Sequence, residues 1–336
     1  MRIGFCYNIK HNDGQGYASE LDFDAPETIN DIAKSLEEIG HTVKHIEVVE
    51  DIFSRLAYEK SEIDIVFNIA EGLWGDARES WVPLACEVHK IPYTHSTPSV
   101  LALCLDKTLT KLAVSGLGVR VPKSFLVSPG QPLPSQIKFP VIIKPNAEGS
   151  SVGIFDANVV NDLPALSARL EKLRSDGLTG NLMVEEYIDG REFTVGLLGN
   201  NPTTTLPVIE QNFNILPEGM KKIAGYELKW LVEDSLADIT QAYVCPANLT
   251  ASQQQEIEST SQTIFNGLNI YDCARIDYRM DATGKLYFLE VNPLPGLNPD
   301  PKVISYFPLA SRTAGIRFTK VLDQIISGAA KRFHLL

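Results

Sequence analysis

Paired cysteines, long apolar runs and an excess of basic charge are what this sequence lacks. Its five cysteines, at positions 6, 86, 104, 245 and 273, are odd in number and show no CxxC spacing. That excludes a disulfide framework and reads as reduced, buried thiols in a reducing compartment. No stretch approaches the roughly 18 apolar residues of a membrane span, and MRIGFCYNIK enters a strand directly with no signal-peptide core. A cytoplasmic location is therefore expected. Acidic side chains number 42 against 30 basic ones, a net charge of -12, which argues against nucleic acid or anionic membrane as the main partner. The six histidines form no metal-ligand pattern: His41 and His45 stand four apart, but in a segment that alternates like a strand. A Walker loop of the GxxxxGK[ST] type is also missing.

What is present fits a soluble α/β chain. Its 336 residues, 44% hydrophobic and 21% charged, predict two or three domains. RIGFCY, TVKHIEVV and DIVFNI read as strands around the amphipathic helix PETINDIAKSLEEIGH, which suggests a small parallel-sheet unit in the first hundred residues. A helix carrying Asp106, Lys107 and Lys111 follows, ending near Gly116 or Gly118. Further on, DLPALSARLEKLRS reads as a helix and LMVEEYI and FTVGLLG as strands. Residues 210 to 240 lack clean periodicity and read as a long loop, which in a compact domain is more often functional than idle. SQQQEIESTSQTIFNGLN and AGIRFTKVLDQIISGAA complete the helices.

Two stretches carry chemistry. FPVIIKPNAEGSSVGI delivers Lys144 on an apolar strand and then a small-residue loop, whose backbone N-H groups at Gly149, Ser150, Ser151 and Gly153 suit an anion such as a nucleotide phosphate. CARIDYRMD and KLYFLEVN, joined at ATGK, read as a hairpin. Strand side chains alternate with period two, so Arg275 and Asp277 share one face, as do Glu290 and Asn292. Asp277, Glu290 and Asn292 offer only oxygen ligands, suited to a hard cation such as Mg²⁺. Arg275 beside them suits a phosphate or a developing oxyanion. The plainer alternative is a hairpin whose outer face is merely polar.

KPNAEGSSVG, VEEYIDGREFTV and RIDYRMDATGKLYFLEVNPLPG, in that order, resemble the ATP-grasp superfamily, and within it the D-alanine:D-alanine ligase branch. The likeness runs from about residue 63 to about residue 300. It implies an α/β ATP-grasp fold of three α/β domains: an N-terminal substrate domain over 1–103, a central lid domain over 104–190 and a C-terminal catalytic domain over 191–336, with the nucleotide between the last two. By the same resemblance, Lys107, Lys144 and Ser151 would hold ATP phosphates. Glu185 and the backbones of Glu186 and Ile188 would form the adenine hinge, and Glu192 would meet the ribose. Asp277, Glu290 and Asn292 would ligate two Mg²⁺ ions, with Mn²⁺ as a substitute. Arg275 and the Gly296 backbone would steady an oxyanion, with Lys229 on the γ-phosphate and Ser150 in the lid loop. The implied activity is an ADP-forming ligase that activates an acidic oxygen by phosphorylation and lets an amino-acid amine displace phosphate. A homodimer is implied as well.

The sequence departs from the family where substrates bind. Lys229-Trp230 stands where a Lys-Tyr pair is usual, and indole cannot accept a hydrogen bond as a tyrosine hydroxyl can. Leu297-Asn298-Pro299-Asp300-Pro301 replaces a Thr/Ser/His-rich run. NIAEGLWGDARES replaces a His-Gly element, so that either Glu71 or Asp22 could meet a substrate amine, or be solvated loop charge. These departures resemble ligases of specialised metabolism, including those that attach an amino acid to a mycosporine scaffold. An ordinary cell-wall D-alanine:D-alanine ligase and a catalytically silent ATP-binding module are the alternatives.

Overall fold

The computed structural model describes residues 1–11, 20, 22–149, 151–178 and 180–336, without the side chains of residues 230 and 234. The N-terminal unit runs β1 (Arg2–Tyr7), α1 (Pro26–Glu38), β2 (Thr42–Glu47), α2 (Ile52–Glu59), β3 (Ile65–Asn68) and α3 (Trp81–His89). Its strands form a parallel sheet in the order β2-β1-β3. Burial follows from the sequence: β3, an apolar strand covered on both faces, is buried along its whole length. α1 takes Pro26 in its first turn and buries Ile29, Ile32, Ala33 and Leu36 on one stripe.

Two short helices come next, α4 (Pro98–Leu105) and α5 (Lys107–Gly116), where one helix was expected. The break falls at Asp106, which adopts an extended conformation and whose carboxylate caps α5 by accepting from the Leu109 N-H at 2.9 Å. The cap fixes Lys107 at the first position of α5, with Lys111 one turn on.

A second, four-stranded sheet contains β4 (Ser124–Val127), β5 (Val141–Pro145), β6 (Val159–Val160) and, after α6 (Leu163–Ser175), β7 (Leu182–Glu186), in the order β4-β7-β5-β6. The third sheet is built on β8 (Gly190–Leu198), with β9 (Thr204–Thr205), β10 (Ile209–Gln211) and β11 (Tyr243–Val244). α7 (Ala251–Gly267) precedes its hairpin, β12 (Cys273–Asp281) and β13 (Leu286–Asn292). α8 (Tyr306–Thr313) and α9 (Phe318–Arg332) close the described chain. Tyr278, Phe193 and Phe288 are fully buried under the third sheet with Val114 of α5 and Ile264 of α7. α9 buries Val321, Leu322 and Ile325 against the first sheet's core. The stretch expected to be a loop, 210–240, is a string of short helical turns: Phe213–Ile215, Leu228–Val232, Glu233–Ser235 and Ile239–Ala242. None is long enough to display a helical repeat, which is why periodicity did not reveal them. Among the described residues no helix is long and apolar enough to cross a membrane.

Candidate active site

The hairpin is antiparallel and in the expected register. Arg275 lies opposite Asn292 and Asp277 opposite Glu290, so all four side chains stand on one face, and a bulge after Asp277 shifts the register of the pairing that continues to Met280. Arg275 donates to the Asp277 carboxylate at 3.0 Å and lies 3.8 Å from Glu290. Thr194 of β8, directly across from Asp277, donates to its other oxygen at 2.7 Å. Burial opposes charge on both Arg275 and Glu290, but their partners outweigh it. Asp277 and Glu290 hold the Arg275 guanidinium above its ordinary value. Lys107, Arg275, Lys144 and Lys229 bring the Glu290 carboxyl down to about 2. Asn292 turns its side-chain oxygen toward the Leu294 N-H at 2.8 Å.

Facing the hairpin is a row of lysines. Lys107 Nζ lies 3.5 Å from Glu290 and donates to the Glu148 carbonyl at 2.6 Å, tying α5 to the small-residue loop. Lys144 on β5 donates to Glu185 on β7 at 2.8 Å, and Lys111 reaches the other Glu185 oxygen at 2.7 Å. The Glu185 side chain is 1% exposed. Burial raises its pKa, but Lys111 and Lys144 overcome this and hold it below the ordinary carboxyl value. Burial in turn lowers Lys111, against the pull of Glu185. Glu185 is thus the counter-ion of two lysines and itself lines the cleft. Glu186 and Ile188 line the same cleft.

At the far end of the cleft Glu192 pairs with Arg279 at 2.8 Å. Arg279 stacks over Tyr187 and Phe213, 5.8 and 5.2 Å from their ring centres, and donates to the Lys222 carbonyl. Ser151 holds a left-handed conformation at φ 62° and donates from its hydroxyl to the Ala224 carbonyl at 2.6 Å. Gly153, at φ 70°, passes so close to Pro145 that a Cβ there would stand 2.7 Å from the proline ring. Ser150 lies outside the described residues, as does the side chain of Trp230. Lys229 lines the cleft beside Arg275.

Behind the lysine row the N-terminal unit contributes carboxylates. Arg78 is buried, donates to the Ala147 carbonyl at 2.7 Å, and lies 3.1 Å from Glu148 and 3.6 Å from Asp22. One Asp22 oxygen is buried without a hydrogen-bond partner. Glu71 is pushed well above the ordinary carboxyl value, chiefly by burial and then by Glu79 and Asp22. Glu79 is pushed up to about 7, by burial first, with Asp22 adding to it. Gly149 approaches Asp22 so closely that a Cβ would lie 3.0 Å from its carboxylate.

Asn298 is not brought to the cleft. Its amide donates to Thr28 of α1 at 2.9 Å and its oxygen accepts from the Asp300 N-H, so it clips the chain to the N-terminal unit. Gly296 lines a second space that shares Arg275 with the cleft, and Ser305 donates to its carbonyl at 3.1 Å. Sequence reasoning placed Lys111 on a helix without a role and passed over Arg78, Arg279 and Tyr306. Arg279 had a signal, since it continues the period-two series of Arg275 and Asp277.

A cleft between two sheets, with a lysine row on one wall and an acidic hairpin on the other, defines an ATP-grasp protein. The crystal structure of D-alanine–D-alanine ligase from Bacillus anthracis complexed with ATP superposes with a TM-score of 0.76 at 21% identity, covering 100% of this chain and 99% of the other. Residues 129–327 match the family model described as the D-ala D-ala ligase C-terminus. The D-alanine–D-alanine ligase of Aquifex aeolicus is 33% identical over 298 residues, 88% of this chain and 92% of its own. That of Bartonella henselae is 31% identical, covering 89% and 90%. An uncharacterized protein of Sinorhizobium fredii is 32% identical over 80% of this chain and 75% of its own. The chain belongs to the D-alanine–D-alanine ligase family and is an ATP-dependent, ADP-forming carboxylate–amine ligase.

Proposed function

We propose that the chain joins the carboxylate of one amino acid to the amine of another, with the cleft holding ATP across the lysine row. The observation that carries this reading is the register of the hairpin, which sets Asp277 opposite Glu290 beside Arg275 and within 3.5 Å of Lys107. In this reading Lys107, Lys144, Ser151 and Lys229 bind phosphates, Glu186 and Ile188 meet the base through their backbones, and Glu192 meets the ribose. Glu185 holds Lys144 and Lys111 in place. Asp277, Glu290 and Asn292 fit a hard divalent cation, since all three offer oxygen and Glu290 is ionised at any pH above about 2. Mg²⁺ held there would draw charge from the transferring phosphoryl oxygens. The three sheets correspond in this proposal to domains over 1–103, 104–190 and 191–336.

Arg275 and the Gly296 backbone then face the reacting carbonyl. A substrate carboxylate oxygen attacks the γ-phosphorus and the bond to ADP breaks, leaving an acyl phosphate. The second amine attacks the acyl carbon, a C–N bond forms, the C–O bond to phosphate breaks, and the amine proton passes to solvent. Arg275 stabilises the oxyanion formed between these events. The carboxylates around Arg78 suit the ammonium group of the first amino acid, with Glu71 and Asp22 nearest that role. No observation favours a mycosporine-type substrate, and that reading is not carried forward. Tyr58, Leu84 and Val88, exposed on α2 and α3, support a homodimer through the N-terminal unit. The test is phosphate release with MgATP and amino acids: ADP, phosphate and dipeptide in equal amounts are expected. ATP hydrolysis indifferent to every amino acid would sink the proposal.

A further inference from the structure

A second cavity of about 530 Å³ opens beyond Arg275, sharing Lys229, Arg275 and Tyr306 with the nucleotide cleft. Its walls come from the helical turns after β10 and from the segment leading into α8. Leu236 and Ile239 face it from the first and Val303 and Ile304 from the second. None of these four belongs to the buried core; all are half-buried or exposed, so their apolar surface turns to the cavity and not to packed neighbours. The polar lining is cationic. Lys229, Arg275 and Lys302 stand against Glu233, the one carboxylate among the described lining residues, and Glu233 accepts from the Gln211 amide at 3.1 Å. Gln211 in turn accepts from the Tyr306 hydroxyl at 2.5 Å, which fixes the wall shared by the two spaces. The segment 297–301 adds no hydroxyl here, because Leu297 is in the core and Asn298 is clipped to α1.

Resting on the proposed ligation, we infer that this cavity takes the second amino acid, with its carboxylate toward Lys302 and its amine toward the acyl carbon whose oxygen Arg275 steadies. We infer further that its side chain is apolar and much larger than a methyl group. A methyl leaves most of the cavity to water and the four apolar side chains wet. Each further buried methylene strengthens binding by roughly fourfold, so leucine gains roughly ten- to hundredfold over alanine.

The experiment uses the full chain with MgATP and all pairwise mixtures of D- and L-alanine, serine, leucine, methionine and phenylalanine. Phosphate release gives rates, and fragment masses identify the C-terminal residue of the product, which is the acceptor. Leucine, methionine or phenylalanine is expected at the C-terminus, with kcat/KM roughly tenfold or more above alanine. Ile239→Ala and Ile304→Ala should each shrink that preference several-fold while the KM for ATP stays unchanged. Efficient ligation with alanine or serine preferred as acceptor would overturn this inference and leave the ligase reading intact. An unaltered preference in both variants would also overturn it. Absence of product in every mixture would overturn both readings together.

Discussion

The two acidic regions of this molecule differ in how their charges are balanced. On the hairpin each carboxylate has a cation: Asp277 has Arg275, Glu290 has Lys107 and Arg275, and Glu185 below them has two lysines. Glu185 is held below its ordinary value by its lysines, and Glu290 is lowered to about 2. Glu71, Glu79 and Asp22 of the N-terminal unit and Glu148 of the small-residue loop crowd around Arg78, and Glu71, Glu79 and Glu148 are raised. Balanced charge makes a rigid frame. Crowded carboxylates store repulsion that a bound cation would relieve. In the function proposed above, the first region would meet the nucleotide and the second the amine.

The strongest test of the balanced region removes its deepest cation. Lys111→Met leaves Glu185, 1% exposed, with Lys144 alone. Breaking a buried pair in this way costs about 3–5 kcal/mol, which urea unfolding would detect; a loss under about 1 kcal/mol would mean that Glu185 is far better solvated than its burial indicates. Next in size is Glu290→Gln, which keeps the shape of the hairpin and deletes the charge shared by Lys107 and Arg275. Turnover should fall on the order of 10²-fold or more, measured as phosphate release at saturating MgATP. Near-normal turnover would remove the hairpin from the chemistry.

The unbalanced region is tested by Glu71→Gln. If an ammonium group docks there, kcat/KM for the first amino acid drops roughly tenfold, the scale of one charge-assisted hydrogen bond, while the KM for ATP holds. Equal losses for both substrates would point to a general distortion, and no loss would show that Glu71 does not meet the substrate amine.

How far the sequence revealed this contrast depends on the range of the contacts. The hairpin was legible because period-two alternation within 18 residues places Arg275, Asp277, Glu290 and Asn292 on one face without knowledge of the rest of the chain. The glycine-rich loop was legible because small residues after a strand have few other uses. Lys111 and Glu185 were not, since their pairing requires α5, β5 and β7 to meet, and four-residue helix spacing alone cannot separate a solvated lysine from a buried one. The crowding around Arg78 was half legible: Glu71 and Asp22 stood out, but Arg78 and Glu79 needed the fold to bring Glu148 alongside. The bond from Asn298 to Thr28 of α1 was not legible either, because the two residues lie 270 positions apart in the chain.

The comparison also sets opposite responses to pH. Glu79, ordinarily at 4.5, sits at about 7 in the folded chain, raised first by burial. Asp24, ordinarily at 3.8, sits at about 7 for the same reason. Between these limits the folded state keeps protons that the unfolded chain has released. Stability present below about pH 4 is therefore lost as pH rises toward 7, at up to ~1.4 kcal/mol per pH unit for each group. Glu290, lowered to about 2, works the other way: its contribution is present above 4.5 and is lost as pH falls toward 2. Glu79→Gln removes one of the raised carboxyls and leaves the hairpin untouched. Its unfolding free energy, followed in urea from pH 4.5 to 7.5, should fall less steeply than that of the parent, while the decline below pH 4 stays the same. Parallel curves across the whole range would show that Glu79 is not crowded in solution, and the contrast between the two regions would then rest on Glu71 and Glu148.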